Sequence, residues 1–152
     1  MIQRIQTIYL LISLIAWGLL FFNPILGFTN EAGGAWELFA NGIKEADGGK
    51  TVLGTIPMFV LFLLVEMLIL ISVLSYRRRA LQLRVTVLSM LLEIFSYGLM
   101  VLYAVQGKNL LQAHTGLLFC SVMPLVAGIC SYLAFRGIRR DMLLLRAQDR
   151  LR

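Results

Sequence analysis

Four apolar runs, each close to 20 residues, constrain this chain more than any other feature. A helix of that length spans ~30 Å, the hydrocarbon thickness of a bilayer. Only helices and closed barrels satisfy their backbone groups there, and these uninterrupted runs read as helices. The spans are expected over residues 5–22, 55–76, 83–105 and 110–135. With 59% hydrophobic and 14% charged residues in 152, a soluble fold could not hide the apolar surface. The expectation is therefore an all-α, four-helix transmembrane bundle forming a single domain.

The first run follows only Arg4 and meets Asn23-Pro24 at its far end. It is longer than the ~7–15 apolar residues of a secretory signal, and no small-residue cleavage site follows it directly. A retained signal-anchor span is expected. Pro57 falls in the first turn of the second span, where proline is tolerated. Asn109 is an expected N-cap for the fourth span, and Pro124 near its middle should kink it.

Basic residues set the orientation. Arg4, Arg77, Arg78, Arg79, Arg84 and six arginines from Arg136 onward share one side, whereas Lys44, Lys50 and Lys108 are on the other. Both termini are expected in the cytoplasm. The outer connection, residues 28–54, is the only long loop. Trp36-Glu37-Leu38 alternates, and Asp47-Gly48-Gly49 is a turn signal, so a short β-hairpin fits. A one-turn helix placing Trp36 and Phe39 in the membrane interface fits as well. The tail, residues 136–152, repeats Phe135, Ile138, Met142 and Leu145 on one face and arginines on the other. It reads as an amphipathic cytoplasmic helix that either extends the fourth span or bends at Gly137 onto the inner leaflet.

Glu66 and Glu93 are the residues that invite chemistry. Helix rise places them ~16 and ~14 Å from the basic edge, counted from Arg77 and Arg84. Both are then near the midplane, where a carboxylate is costly unless protonated, paired or wet. Spans two and three should form an antiparallel hairpin, so the two carboxyls can face each other and share a proton. Ser72, Ser89, Ser96 and Tyr97 are expected hydrogen-bonding neighbours. The pair admits three readings: protonated packing contacts, proton or cation sites of a coupled cycle, or contacts to a partner's helix.

Other chemistry finds little support. Cys120 and Cys130 are ten residues apart, ~15 Å on a helix and beyond disulfide reach, so they are expected to face lipid or to pack. His114, the only histidine, has no second ligand at helical spacing, so no metal and no cofactor is expected. Ala127 and Ser131 form a small-xxx-small pair, widened by Gly128. No nucleophile–base pair or phosphate-binding glycine loop is present, and the basic tail lacks aromatics for nucleic-acid stacking.

The opening Met1-Ile2-Gln3-Arg4-Ile5-Gln6-Thr7-Ile8-Tyr9-Leu10-Leu11, with Ile138-Arg139-Arg140-Asp141 and Asp149-Arg150-Leu151-Arg152, carries a resemblance. It resembles the uncharacterised four-span proteins of Bacteroidota grouped as domain-of-unknown-function family 4293. The resemblance implies a bacterial inner-membrane protein and supplies no activity. Its signature residues are Gln3, Arg4, Gln6, Asp141, Asp149, Arg150 and Arg152, which places a docking surface at the cytoplasmic face. The expected function is a non-enzymatic subunit or scaffold of a larger membrane assembly, with a protein partner or a second copy of itself in the lipid bilayer. The runner-up is a proton- or cation-coupled transport subunit using the midplane carboxyls.

Overall fold

The computed structural model describes residues 2–46 and 49–150, with side chains from residue 5 to 144 within those ranges. Four helices, α1 (Ile2–Phe22), α2 (Ile56–Leu74), α3 (Arg79–Leu111) and α4 (Met123–Arg150), form a bundle. All four are long and apolar enough to cross a membrane. α1 packs on α4, α2 on α3, α3 on α4 and α1 on α2, which closes the ring.

The core stripes explain the packing. Gln6, Leu10, Ser13, Trp17 and Leu20 are buried on α1, and Met58, Phe62, Val65, Ile69 and Ser72 on α2. Ala127, Ser131, Ala134, Ile138 and Asp141 are buried on α4. Each set alternates steps of four and three, the spacing of helices packed at shallow crossing angles. The opposite faces expose Ile15, Leu63, Ile94, Leu125 and similar side chains, so apolar residues line the outside as well as the core.

The expectation of an all-α chain is corrected by a five-stranded antiparallel sheet over one end of the bundle. Strands β1 (Leu26–Thr29), β2 (Ala35–Phe39), β3 (Gly42–Glu45) and β4 (Thr51–Gly54) come from the long connection, and β5 (His114–Leu117) from the α3–α4 connection. Their spatial order is β4-β3-β2-β1-β5. The alternation at Trp36-Glu37-Leu38 does mark a strand, with Leu38 buried and paired opposite Ile43. The turn expected at Asp47-Gly48-Gly49 involves residues outside the described set, although β3 and β4 pair antiparallel on either side of it.

The largest correction concerns the third and fourth spans. α3 does not end before Gln106-Gly107-Lys108 but runs 33 residues to Leu111, ~50 Å. A lone interior glycine costs only ~1 kcal/mol in a helix, and Gly107 has a packing reason to be there. A Cβ at that position would meet Ile43 Cδ1 and Phe28 Cζ at 2.8 Å, so the bare backbone lets α3 dock under the sheet. Asn109 is inside α3 rather than capping α4; the helix ends at Gln112, left-handed at φ 47°, whose N–H bonds the Lys108 carbonyl. His114 is then an exposed strand residue paired with Thr29, not a residue one turn inside a helix. An unpaired edge of β1 offers backbone partners that the incoming chain uses.

Pro124 is the second residue of α4, after a short 3-10 turn over Phe119–Val122. It occupies the first turn, where its missing N–H is not needed, and no mid-span kink arises. Gly137 does not break α4, which continues into the tail as one helix. Cys120 and Cys130 are free and buried.

Candidate functional site

The core stripe of α3 is unlike those of its neighbours. Gln82, Thr86, Ser89, Glu93 and Ser96 are all buried before the first apolar member, Met100. The helix presents lipid-like side chains outward and a polar seam inward. Ser13 and Gln6 on α1, Ser72 on α2, and Ser131 and Asp141 on α4 join it. The seam occupies the half of the bundle nearer the arginines. Toward the sheet the core turns aromatic: Trp17 meets Phe62 edge-on at 5.1 Å, and Phe21 meets Phe59 and Phe62.

Buried hydroxyls must find partners, and most find them locally. Thr86 donates to the Gln82 carbonyl and pairs with Ser72 at 2.7 Å, tying α2 to α3. Ser89 donates to the Thr86 carbonyl and Ser96 to the Leu92 carbonyl. These serines, expected beside the glutamates, are therefore spent on their own helix backbone. Tyr97 is 40% exposed on the bundle's flank, in a groove with Glu93.

Glu93 finds its partner on α4 instead. Ser131 donates to Glu93 Oε1 at 2.8 Å, and Ser131 and Ser13 hydroxyls are 3.0 Å apart, so one hydrogen-bonded chain links α1, α4 and α3. Glu93 is only 4% exposed, yet its Oε2 has no hydrogen-bond partner. The indole N–H of Trp17 approaches this carboxyl as a donor without reaching full hydrogen-bond geometry. Glu66 Oε2 is buried without a partner, while Oε1 is 3.7 Å from where a Gly18 side chain would begin. The two carboxyls thus converge on successive residues of α1, Trp17 and Gly18. No hydrogen bond joins them among the described residues.

Ser13 and Ser131 went unrecognised as glutamate partners because they come from α1 and α4, far away in sequence. The only available signal was the small-residue pair at Ala127 and Ser131, both fully buried in helix contact. Among the described residues, no three His, Cys, Asp or Glu side chains are grouped to hold a metal.

At the basic end, Gln6 Nε2 donates to Asp141 Oδ2 at 2.9 Å, both side chains being buried. Gln6 packs over Gly137, where a Cβ would approach its Cγ to 2.8 Å. Two residues carrying the family resemblance thus meet each other. The side chains of Gln3, Arg4, Asp149 and Arg150, and the whole of Arg152, are outside the described residues.

Chemically, the site offers two buried carboxyls, each with one oxygen short of a full hydrogen bond, next to a dry, hydroxyl-lined seam. Such oxygens can accept a proton, a cation or a ligand's hydrogen-bond donor. A family model described as a domain of unknown function (DUF4293) matches residues 2–151. A search of curated proteins finds no match.

Proposed function

This chain belongs to the DUF4293 family, and we propose that it is a non-enzymatic, multi-pass inner-membrane protein serving as a subunit or scaffold of a larger assembly. Residue faces such as Ile15, Leu63, Ile94 and Leu125 meet lipid, and the arginine-rich end holds both termini in the cytoplasm. The observation that carries the subunit reading is the sheet. β5 joins the α3–α4 connection to β1 of the α1–α2 connection, making one platform with its edges at β4 and β5. A five-stranded platform on so small a protein is a recognition surface, since free edges recruit extended segments of other chains.

The test is to place a photo-crosslinking residue at Val52 on β4 or Thr115 on β5 and irradiate native membranes. One distinct protein should be captured at either edge and should copurify with the untagged chain in fixed ratio. Adducts to lipid and to the chain itself alone would overturn the reading.

A second reading, a proton- or cation-coupled transport subunit, is favoured by the polar seam ending at Glu93 and Glu66. The aromatic layer at Trp17, Phe21, Phe59 and Phe62 opposes a passage through one copy, so transport would need a partner or an oligomer. In either role the glutamates are neutral packing residues at rest. Glu66→Gln and Glu93→Gln are accordingly expected to insert normally and to stay within ~2 kcal/mol of the parent, the scale of interhelical hydrogen bonds in membranes. Recovery from the membrane fraction and detergent melting check this; failure of either variant to insert would require a charge at the midplane.

A further inference from the structure

We propose that the groove running along α3 from Lys108 to Ile94 binds a phospholipid of the outer leaflet, with an anionic headgroup at Lys108. Two cavities make the groove. One, of about 310 Å³, is under the sheet beside α3 and is lined by Tyr97, Val101, Val105, Lys108, Thr115 and Leu117 among others. The other, of about 450 Å³ between α3 and α4, shares Tyr97 with it and continues to Ile94. Ile94, Tyr97, Val101, Val105 and Lys108 recur at steps of three and four, so one face of α3 forms the floor for ~21 Å. β5 is the roof. Leu117 shares the bundle-facing side of the sheet with its buried partner Leu26, yet it is 83% exposed, so the strand overhangs the helices rather than packing on them.

Depth and charge select the occupant. Counted from Arg84, Lys108 is ~36 Å along α3, just beyond a ~30 Å hydrocarbon core and so at headgroup level. Ile94, at ~15 Å, is at the bilayer centre, where an outer-leaflet acyl chain ends. A chain passing Val105, Val101 and Tyr97 therefore fits the groove end to end. No hydrogen bond or ion pair engages the Lys108 ammonium among the described residues. A polar cavity on its other side is lined by Asn109, Gln112 and His114, with no carboxylate in the lining. Nothing there answers the ammonium of a zwitterionic headgroup, whereas the amides of Asn109 and Gln112 can bond the hydroxyls of a glycerol headgroup. An apolar helix of a partner would leave Lys108 unanswered. The inference rests on the multi-pass membrane reading above, and it leaves the free edge of β5 to the partner.

The test places a photo-crosslinking residue at Leu117, and separately at the exposed Leu63 of α2, in the purified full chain. Nanodiscs contain phosphatidylcholine with a minority of phosphatidylglycerol of the same acyl chains, and mass spectrometry of the labelled peptide counts the adducts. At Leu117 phosphatidylglycerol should be enriched about fivefold over its share of the membrane, the factor for ~1 kcal/mol from a basic residue near an anionic surface. At Leu63 the adducts should follow the bulk ratio. Lys108→Gln should return Leu117 to that ratio, and Lys108→Arg should keep the enrichment. Val101→Trp, at an exposed position, fills the middle of the groove and should remove the enrichment with Lys108 intact, which separates a bound chain from attraction at the surface. Millimolar inorganic phosphate should leave the enrichment unchanged. Equal ratios at Leu117 and Leu63, enrichment that survives Lys108→Gln or Val101→Trp, or its erasure by inorganic phosphate would each overturn the assignment. Absence of lipid adducts at Leu63 would overturn the membrane reading, and this assignment with it.

Discussion

Trp17→Ala is expected to destabilise the protein by about 3–5 kcal/mol, the range for emptying a large aromatic site in a packed core. Trp17 is fully buried and is the largest side chain in the core. Its ring meets Phe62 edge-on at 5.1 Å and 73°, and it is the member of the aromatic layer that touches the polar seam at Glu93. Lipid tails are as apolar as a core, so the loss arises from forfeited van der Waals contact rather than from hydrophobic transfer. The void would also be lined by the Glu93 carboxyl, so water entry becomes favourable where the wild type keeps a ring. Trp17→Phe should lose less than half as much, because it keeps an aromatic plug in the core. Unfolding of the full chain in mixed detergent micelles measures both. A Trp17→Ala loss below ~1 kcal/mol would show that the site collapses, and the plug would then carry little of the packing.

The four spans were legible because they depend on a local quantity, the length of an apolar run. The residue 5–22 stretch coincides with the part of α1, Ile5–Phe22, that is long and apolar enough to cross a membrane. What failed were the boundaries decided by distant residues. Gln106-Gly107-Lys108 looks like a helix end until Phe28 and Ile43 are placed over Gly107. His114–Leu117 looks like the start of a span until β1 is present to pair with it. Once β5 forms, α4 must begin later, and Pro124 moves from an expected kink to the first turn. Both errors share one cause: a sheet assembled from two connections that are ~60 residues apart in the chain.

The glutamates were legible as buried acids, but their partners were not. The four-and-three spacing of Gln82, Thr86, Ser89, Glu93 and Ser96 was present in the sequence as an inward polar stripe. Against an apolar background that stripe identifies the core face of α3 better than hydropathy does. Which helices supply donors to it is a question of bundle order. Ser131 and Ser13 answer it only after α1 and α4 are known to be neighbours.

Bundle order also governs the second large effect, at the basic end. Gln6→Leu is expected to cost about 1.5–3 kcal/mol, the value of a hydrogen bond to a charged group. Gln6 is 6% exposed and Asp141 7%, so neither can exchange the lost bond for water without opening the α1–α4 contact. Asp141→Leu alone should cost ~1–3 kcal/mol, because the Gln6 amide is then buried without its acceptor. The double variant Gln6→Leu/Asp141→Leu should lose less than the sum of the two single variants, since neither buried polar group is then left without its partner, although leucine is bulkier than aspartate at residue 141. At residue 6 the fit is kept: Gln6 already fills the surface over Gly137, and leucine has a closely similar volume. The cycle is read from detergent unfolding of all four proteins, with an interaction term of ~0.5–3 kcal/mol expected for residues in contact. Strictly additive losses would mean that the two ends are held by other contacts. A double variant that loses less than the sum would assign Gln6 and Asp141 to holding α1 against α4.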